Sequence, residues 1–243
     1  GAALNPLSFA LANDRDNVEL ALAFAKTRLQ NTDDDGKHLF AAENLYKFTL
    51  TLDSNNEQAL NALFDIYVLT NQPLNALRVA KKLPDSDVET HKKKVIAQIR
   101  IGDFEDALKS IERIREIAPE DDFWPIREYG IRRNALEQSP RDITRIFEEY
   151  TERFPGNQAA ELVAIENMGR SGRKQESIRR MKEMSMREDI DPEMVMIMIP
   201  MMENLGMNRE AVGLREKTME LSLTNESVAE QRIRGLWENA NLQ

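Results

Sequence analysis

A small or medium-sized residue recurs at near-constant spacing through most of this chain. Ala42, Ala76, Ala107, Ile143, Ser177 and Ala211 are separated by 34, 31, 36, 34 and 34 positions. Each lies in an amphipathic stretch, from "AAENLYKFTLTLDSNN" to "EAVGLREKTMELSLTN". Larger side chains follow four and seven positions later: Tyr46 after Ala42, Ile111 and Ile114 after Ala107, Phe147 and Tyr150 after Ile143, Met181 and Met184 after Ser177. That spacing puts them on one face of an α-helix. A second helical stretch precedes each of these. In "NEQALNALFDIYVLTNQ" the apolar residues Leu60, Leu63, Phe64 and Tyr67 fall at i, i+3, i+4 and i+7. The two stretches are joined by short breaks such as "IGDF", "SGRK" and "LGMN", where glycine permits a left-handed helix end. The unit is therefore helix, turn, helix, repeated about six times. One such pair cannot bury its apolar face alone, whereas stacked pairs share a continuous core.

Composition narrows the chemistry. The 243 residues include no Cys and only two His. Disulfides, zinc–thiolate sites and cysteine nucleophiles are thereby excluded. No metalloprotease, phosphate-loop or nucleophile-elbow motif occurs, so no cofactor, metal or catalytic residue is expected. Asp33, Asp34 and Asp35 read as a solvated acidic turn, because their spacing is not that of a calcium loop. The net charge of −9 opposes binding to phosphate backbones and anionic membranes unless basic residues segregate. The longest apolar run, Met194 to Met202, is interrupted by Pro200 and is too short to span a bilayer. No membrane insertion is expected, and the lack of Cys permits either a cytoplasmic or a periplasmic setting.

The chain resembles the tetratricopeptide repeat family. Leu60, Leu63, Phe64, Tyr67, Ala76, Ala80 and Leu83 stand at that family's packing positions in one repeat. Gly102, Asp103, Phe104, Ala107, Leu108 and Pro119 do so in the next, and the likeness covers roughly residues 20 to 222. The chain departs from the pattern in the acidic insertion at 31–38, in Lys94 and Gly130 where a core leucine is usual, and in a two-residue extension of the fourth repeat. The segment "GRSGRKQESIRRMKEM" followed by "DIDPE" also looks like the pentatricopeptide family. The resemblance implies an all-α, right-handed α-solenoid, a superhelix of about six helix-turn-helix repeats closed by a C-terminal capping helix. The expected layout is a loosely ordered arm at 1–15, repeats at 16–225 and the capping helix at 226–243.

For function, the resemblance implies a non-catalytic scaffold or adaptor that takes a protein partner, as a peptide or helix, in the groove lined by the first helices. The groove positions are Asn61, Asp65, Leu69, Lys92, Ile96, Arg100, Glu128, Arg132, Leu162, Glu166, Arg170, Met196 and Glu203. The lysine and asparagine set that clamps a chaperone's terminal carboxylate is matched only in part. The alternatives are single-stranded RNA binding by a pentatricopeptide-like array, using "HKKK" and "GRSGRKQESIRR", and a subunit of a bacterial envelope or secretion assembly. Carboxylates at the groove positions weigh against RNA, whose phosphates need neutralising. In "PEMVMIMIPMMENL", Val195, Met198, Ile199 and Met202 fall on packing positions. Met194, Ile197 and Met201 are left as a possible exposed apolar patch, of the kind flexible thioethers suit.

Overall fold

The structure, a computed structural model, describes residues 4–32, 36–187 and 189–222. Helix α1 is Leu4–Asn13, and six helix pairs follow among the described residues. They are α2 (Val18–Gln30) with α3 (Lys37–Leu52), α4 (Glu57–Leu69) with α5 (Pro73–Ala80), α6 (Val88–Ile101) with α7 (Phe104–Ile117), α8 (Phe123–Gly130) with α9 (Pro140–Arg153), α10 (Gln158–Arg170) with α11 (Lys174–Ser185), and α12 (Pro192–Leu205) with α13 (Asn208–Ser222). No strand occurs among the described residues. The stretch expected as a loose arm contains α1, which packs on α2. The expected capping helix lies outside the described residues.

The recurring residue of the sequence is buried in every pair. Ala42, Ala76, Ala107, Ser177 and Ala211 are fully buried, and Ile143 nearly so. Ser177 satisfies its hydroxyl by donating to the Ile165 carbonyl at 2.7 Å. The uneven spacing has local causes. The interval of 31 from Ala76 to Ala107 spans α5, which is only 8 residues long. The interval of 36 from Ala107 to Ile143 spans a π-helical turn, Ile131–Ala135, continuous with α8, and Glu137 with a left-handed φ of 49°. A π-turn accommodates extra residues without ending the helix.

The first helix of every pair follows an Asn or Asp, and five of the six cap it by accepting a backbone N–H. Asn17 accepts from Leu20, Asn56 from Ala59, Asp87 from Glu89 and Thr90, Asn157 from Ala160, and Asp191 from Glu193. Such caps satisfy N–H groups that the helix cannot. Where the third repeat replaces core apolar residues, most of the polar groups find partners, and the buried His91 Nδ1 is left without one. His91 pairs its Nε2 with the Asp85 carbonyl at 2.8 Å, Lys94 bonds to the Asp85 carboxylate, and Gln98 accepts from Ser110 at 2.9 Å.

The chain divides into two compact units, residues 1–113 and 114–243, with the boundary inside α7 rather than in a linker. In the first unit the core joins Ala25, Tyr46, Leu60, Leu63, Phe64 and Tyr67 to Ala76, Val79 and Ala97. In the second, Leu162 and Ile165 pack with Met181, Met184, Met198, Ile199, Met202 and Met207. The methionine run that reads so oddly in the sequence supplies much of this core, and α12 continues through Pro200 to Leu205.

Asp122 is the exception among the capping residues. Its side chain does not cap α8 but accepts from the Ala159 backbone N–H at the start of α10. Burial, reinforced by the charges of Asp191, Asp121 and Glu193, pushes its carboxyl up to about 6 against that hydrogen bond. A carboxyl raised in the folded state favours folding most at low pH, and this contribution is lost as pH rises from about 4 to 6. Asp122→Asn should therefore raise the melting temperature at pH 7 and flatten its dependence between pH 4.5 and 7. Thermal melts of both proteins check this, and parallel pH profiles would contradict it.

Candidate functional site

Helices α4 and α6 place six of the groove residues on one face of the first unit. Asn61, Asp65 and Leu69 lie at four-residue intervals on α4, and Lys92, Ile96 and Arg100 do so on α6. Asp65, Leu69 and Arg100 are exposed, whereas Asn61, Lys92 and Ile96 are partly covered. Leu69 is 72% exposed, high for a leucine in a helix with six buried apolar residues. Polar bonds tie the face together. Lys93 Nζ donates to Asn61 Oδ1 at 2.6 Å, Arg100 Nη1 donates to the Val68 carbonyl at 2.8 Å, and Lys26 Nζ of α2 donates to Gln58 Oε1 at 2.7 Å. Sequence reasoning missed Lys26 and Lys93. Their signal was the identical spacing of 32 residues in all three bonds. Lys92 pairs with Glu89 at 2.9 Å and Lys47 with Glu43. Burial raises the Asp65 carboxyl, while the neighbouring Lys93 charge acts to lower it.

The second unit treats its groove residues differently. Glu128 is 1% exposed and does not line an open surface. Its carboxylate accepts from Arg132 Nε at 2.8 Å, from Arg115 Nη1 at 3.0 Å and from the Tyr150 hydroxyl at 2.9 Å. The Arg115 guanidinium stacks 4.5 Å from the Tyr150 ring centroid and 5.4 Å from that of Trp124. Burial, then the Glu128 charge, pushes the Tyr150 phenol up to about 12. Arg132 also donates to Gln138 at 3.2 Å, so this pair of groove residues forms an internal ionic hub. A second set lies one residue on. Arg133 donates to the Tyr129 hydroxyl at 3.0 Å and approaches Glu166 at 3.6 Å. Burial, then the Glu166 charge, pushes Tyr129 up to about 12 as well.

Three further expectations need correction. Leu162 is 2% exposed and belongs to the methionine-rich core, because α10 has α8, α9, α11 and α12 against it. Met194 is 1% exposed, so the exposed patch does not include it. Ile197 and Met201, with Met196, are partly buried against the same core. The exposed thioether of this region is instead Met186 at 68%. Arg170 and Glu203 are exposed, and Glu203 pairs with Arg215 at 2.7 Å. Among the described residues, no group of three or more His, Asp or Glu side chains could hold a metal ion, and no helix is long and apolar enough to cross a membrane.

The arrangement of helix pairs has counterparts among solved structures. The chain aligns with YrrB, described as a TPR protein with an unusual peptide-binding site, at a TM-score of 0.52 and 16% identity, covering 88% of this chain and 100% of that one. It aligns with a tetratricopeptide repeat protein from Parabacteroides merdae at a TM-score of 0.53 and 13% identity, covering 98% of this chain and 91% of that one. This chain has the tetratricopeptide-repeat fold. No protein-family model and no curated protein sequence matches it.

The ionic hub has a measurable consequence. Glu128→Gln leaves Arg115 and Arg132 facing a neutral amide in a buried setting, which should cost about 3–5 kcal/mol. Urea denaturation followed by Trp fluorescence, with Trp124 fully buried beside the hub, reads this loss. A change under about 1 kcal/mol would show that Glu128 is dispensable.

Proposed function

We propose that this chain is a non-catalytic interaction scaffold whose α4–α6 face takes a peptide or helix of a protein partner. The observation that carries the reading is the exposed Leu69 set beside Arg100, Lys93 and Asp65 on first helices of consecutive repeats. An apolar anchor ringed by charged groups suits a partner helix or strand docked along a groove. The tetratricopeptide-repeat fold supports it by analogy, since the similar YrrB carries a peptide-binding site. In the second unit, Arg170 and Glu203 are exposed, whereas Glu128, Arg132 and Leu162 serve the interior.

The RNA alternative draws less support. Much of the basic charge singled out for it is already paired. Lys94 is held by Asp85 and Lys92 by Glu89. Arg173 is held by Glu148 and Glu176, and Arg179 by Glu183. Phosphate binding would have to displace those carboxylates.

A photo-crosslinking amino acid placed at Leu69, and separately at the exposed Lys81 of the second-helix side, tests the reading in extract from the source organism. Protein crosslinks formed at Leu69 and absent at Lys81, and lost when Arg100→Glu is added, are expected. Equal crosslinking from both positions, or crosslinks only to RNA, would sink it.

A further inference from the structure

The cations of the α4–α6 face are bonded to neutral acceptors. Lys93 is satisfied by an amide oxygen, Arg100 by a backbone carbonyl and Lys26 by another amide oxygen. Each hydrogen bond fixes a side chain without cancelling its charge. Two nearby carboxylates have partners of their own. Glu89 is matched by Lys92 and Glu43 by Lys47, and the carboxylate that feels the Lys93 charge is Asp65. Lys93 and Arg100 thus keep their charge on the face that carries Leu69, the most exposed leucine among the described residues.

The two cations have a definite geometry. Lys93 and Arg100 are seven residues apart on α6, and their acceptors Asn61 and Val68 are seven apart on α4. Two turns of helix rise about 10 Å, so the two anchored charges sit about 10 Å apart along the α4–α6 cleft. Leu69 adjoins Val68, the residue that holds Arg100. Lys93 also lies over the Phe64 ring at 5.7 Å, which further limits its freedom. Charges held in place before a partner arrives lose little side-chain entropy on binding.

We propose that the α4–α6 face recognises an acidic protein segment carrying two carboxylates about 10 Å apart, with an apolar side chain seated on Leu69 next to the carboxylate that meets Arg100. This deepens the scaffold reading and rests on it. Two carboxylates seven positions apart in a helical segment, or three apart in a polyproline-II segment with its three residues per turn, have the required separation on one face. A nucleic acid matches the charge but not the rest of the surface. Single-strand binding uses exposed aromatic rings for base stacking, and on α4 and α6 the rings of Phe64 and Tyr67 are buried.

The test is selection of a random phage-displayed peptide library on the intact chain, with Lys93→Gln/Arg100→Gln as the comparison. Both substitutions remove charge on a helix surface, and circular dichroism confirms that the variant folds. The selected peptides should be enriched in Asp or Glu pairs at spacing seven or three with a neighbouring Leu, Ile or Phe. Their affinity should fall about five- to ten-fold on the double variant, as loss of two partly exposed ion pairs implies, and should fall again in about 0.5 M salt. Selected peptides that are neutral yet compete with crosslinking at Leu69 would overturn the acidic assignment while leaving the scaffold reading intact. Peptides that bind elsewhere, or a face that takes poly-U in preference to any peptide, would overturn both.

Discussion

Burial of one recurring residue in the second helix of each pair is the constraint from which the rest of this structure follows. Ala42, Ala76, Ala107, Ser177 and Ala211 are sealed from solvent, and Ser177 sits so near Gly169 of the preceding helix that a Cβ on that glycine would meet the serine hydroxyl at 3.2 Å. The larger residues four and seven positions on then reach across to the neighbouring first helix, as Tyr46 does towards the core formed by Leu60, Leu63 and Phe64. Once pairs pack this way, five of the six first helices begin at an Asx-capped turn, and successive turns come close enough to share hydrogen bonds. Asn157 illustrates the coupling. It caps α10 through Ala160 and donates to the carbonyls of Pro119 and Asp121, nearly forty residues earlier. Gln158 repeats the device with Asp189 and Asp191. Local helix signals and long-range repeat contacts thus use the same side chains, which is the consistency a foldable sequence needs.

The helix pairs were legible because periodicity is a property of many residues at once. The recurring buried residues, the glycine-marked turns and the packing set of α4 all read directly from spacing. Individual groove positions were harder, because exposure depends on what lies opposite. Glu128 stands where a regular repeat would face solvent, yet Arg115, Arg132 and Tyr150 close around it. The π-helical turn after Gly130 contributes, since the extra length was visible as a 36-residue interval but its conformation was not. Leu162 was misread for a related reason. A helix with neighbours on several sides buries residues that a helix pair alone would leave open. The methionine run was ambiguous because thioethers suit both cores and adaptable surfaces, and α12 uses Met194, Met198 and Met202 as core.

The two units solve the problem of charge in opposite ways. In the second, Arg115 is drawn inward to the buried Glu128, and the exposed Arg187 and Arg133 lie against the partly buried Glu161 and Glu166. Arg187 grips Glu161 with two bonds, at 2.6 and 2.7 Å. In the first, Lys26, Lys93 and Arg100 are positioned by neutral oxygens, and their charge stays available at the surface. That difference, rather than the number of basic residues, is what marks out the proposed binding face. It also explains why net charge alone misdirects: a chain at −9 can still keep Lys93 and Arg100 charged on one face.

The most direct measurement is a titration of the isotope-labelled chain with a peptide bearing Glu at positions seven apart and an adjacent Leu, followed by NMR. The account predicts the largest amide shifts within residues 61–69 and 92–100, with the Lys93 and Arg100 side-chain signals moving in step. Shifts confined to the second unit, or an equal response to the Gln-substituted peptide, would contradict it.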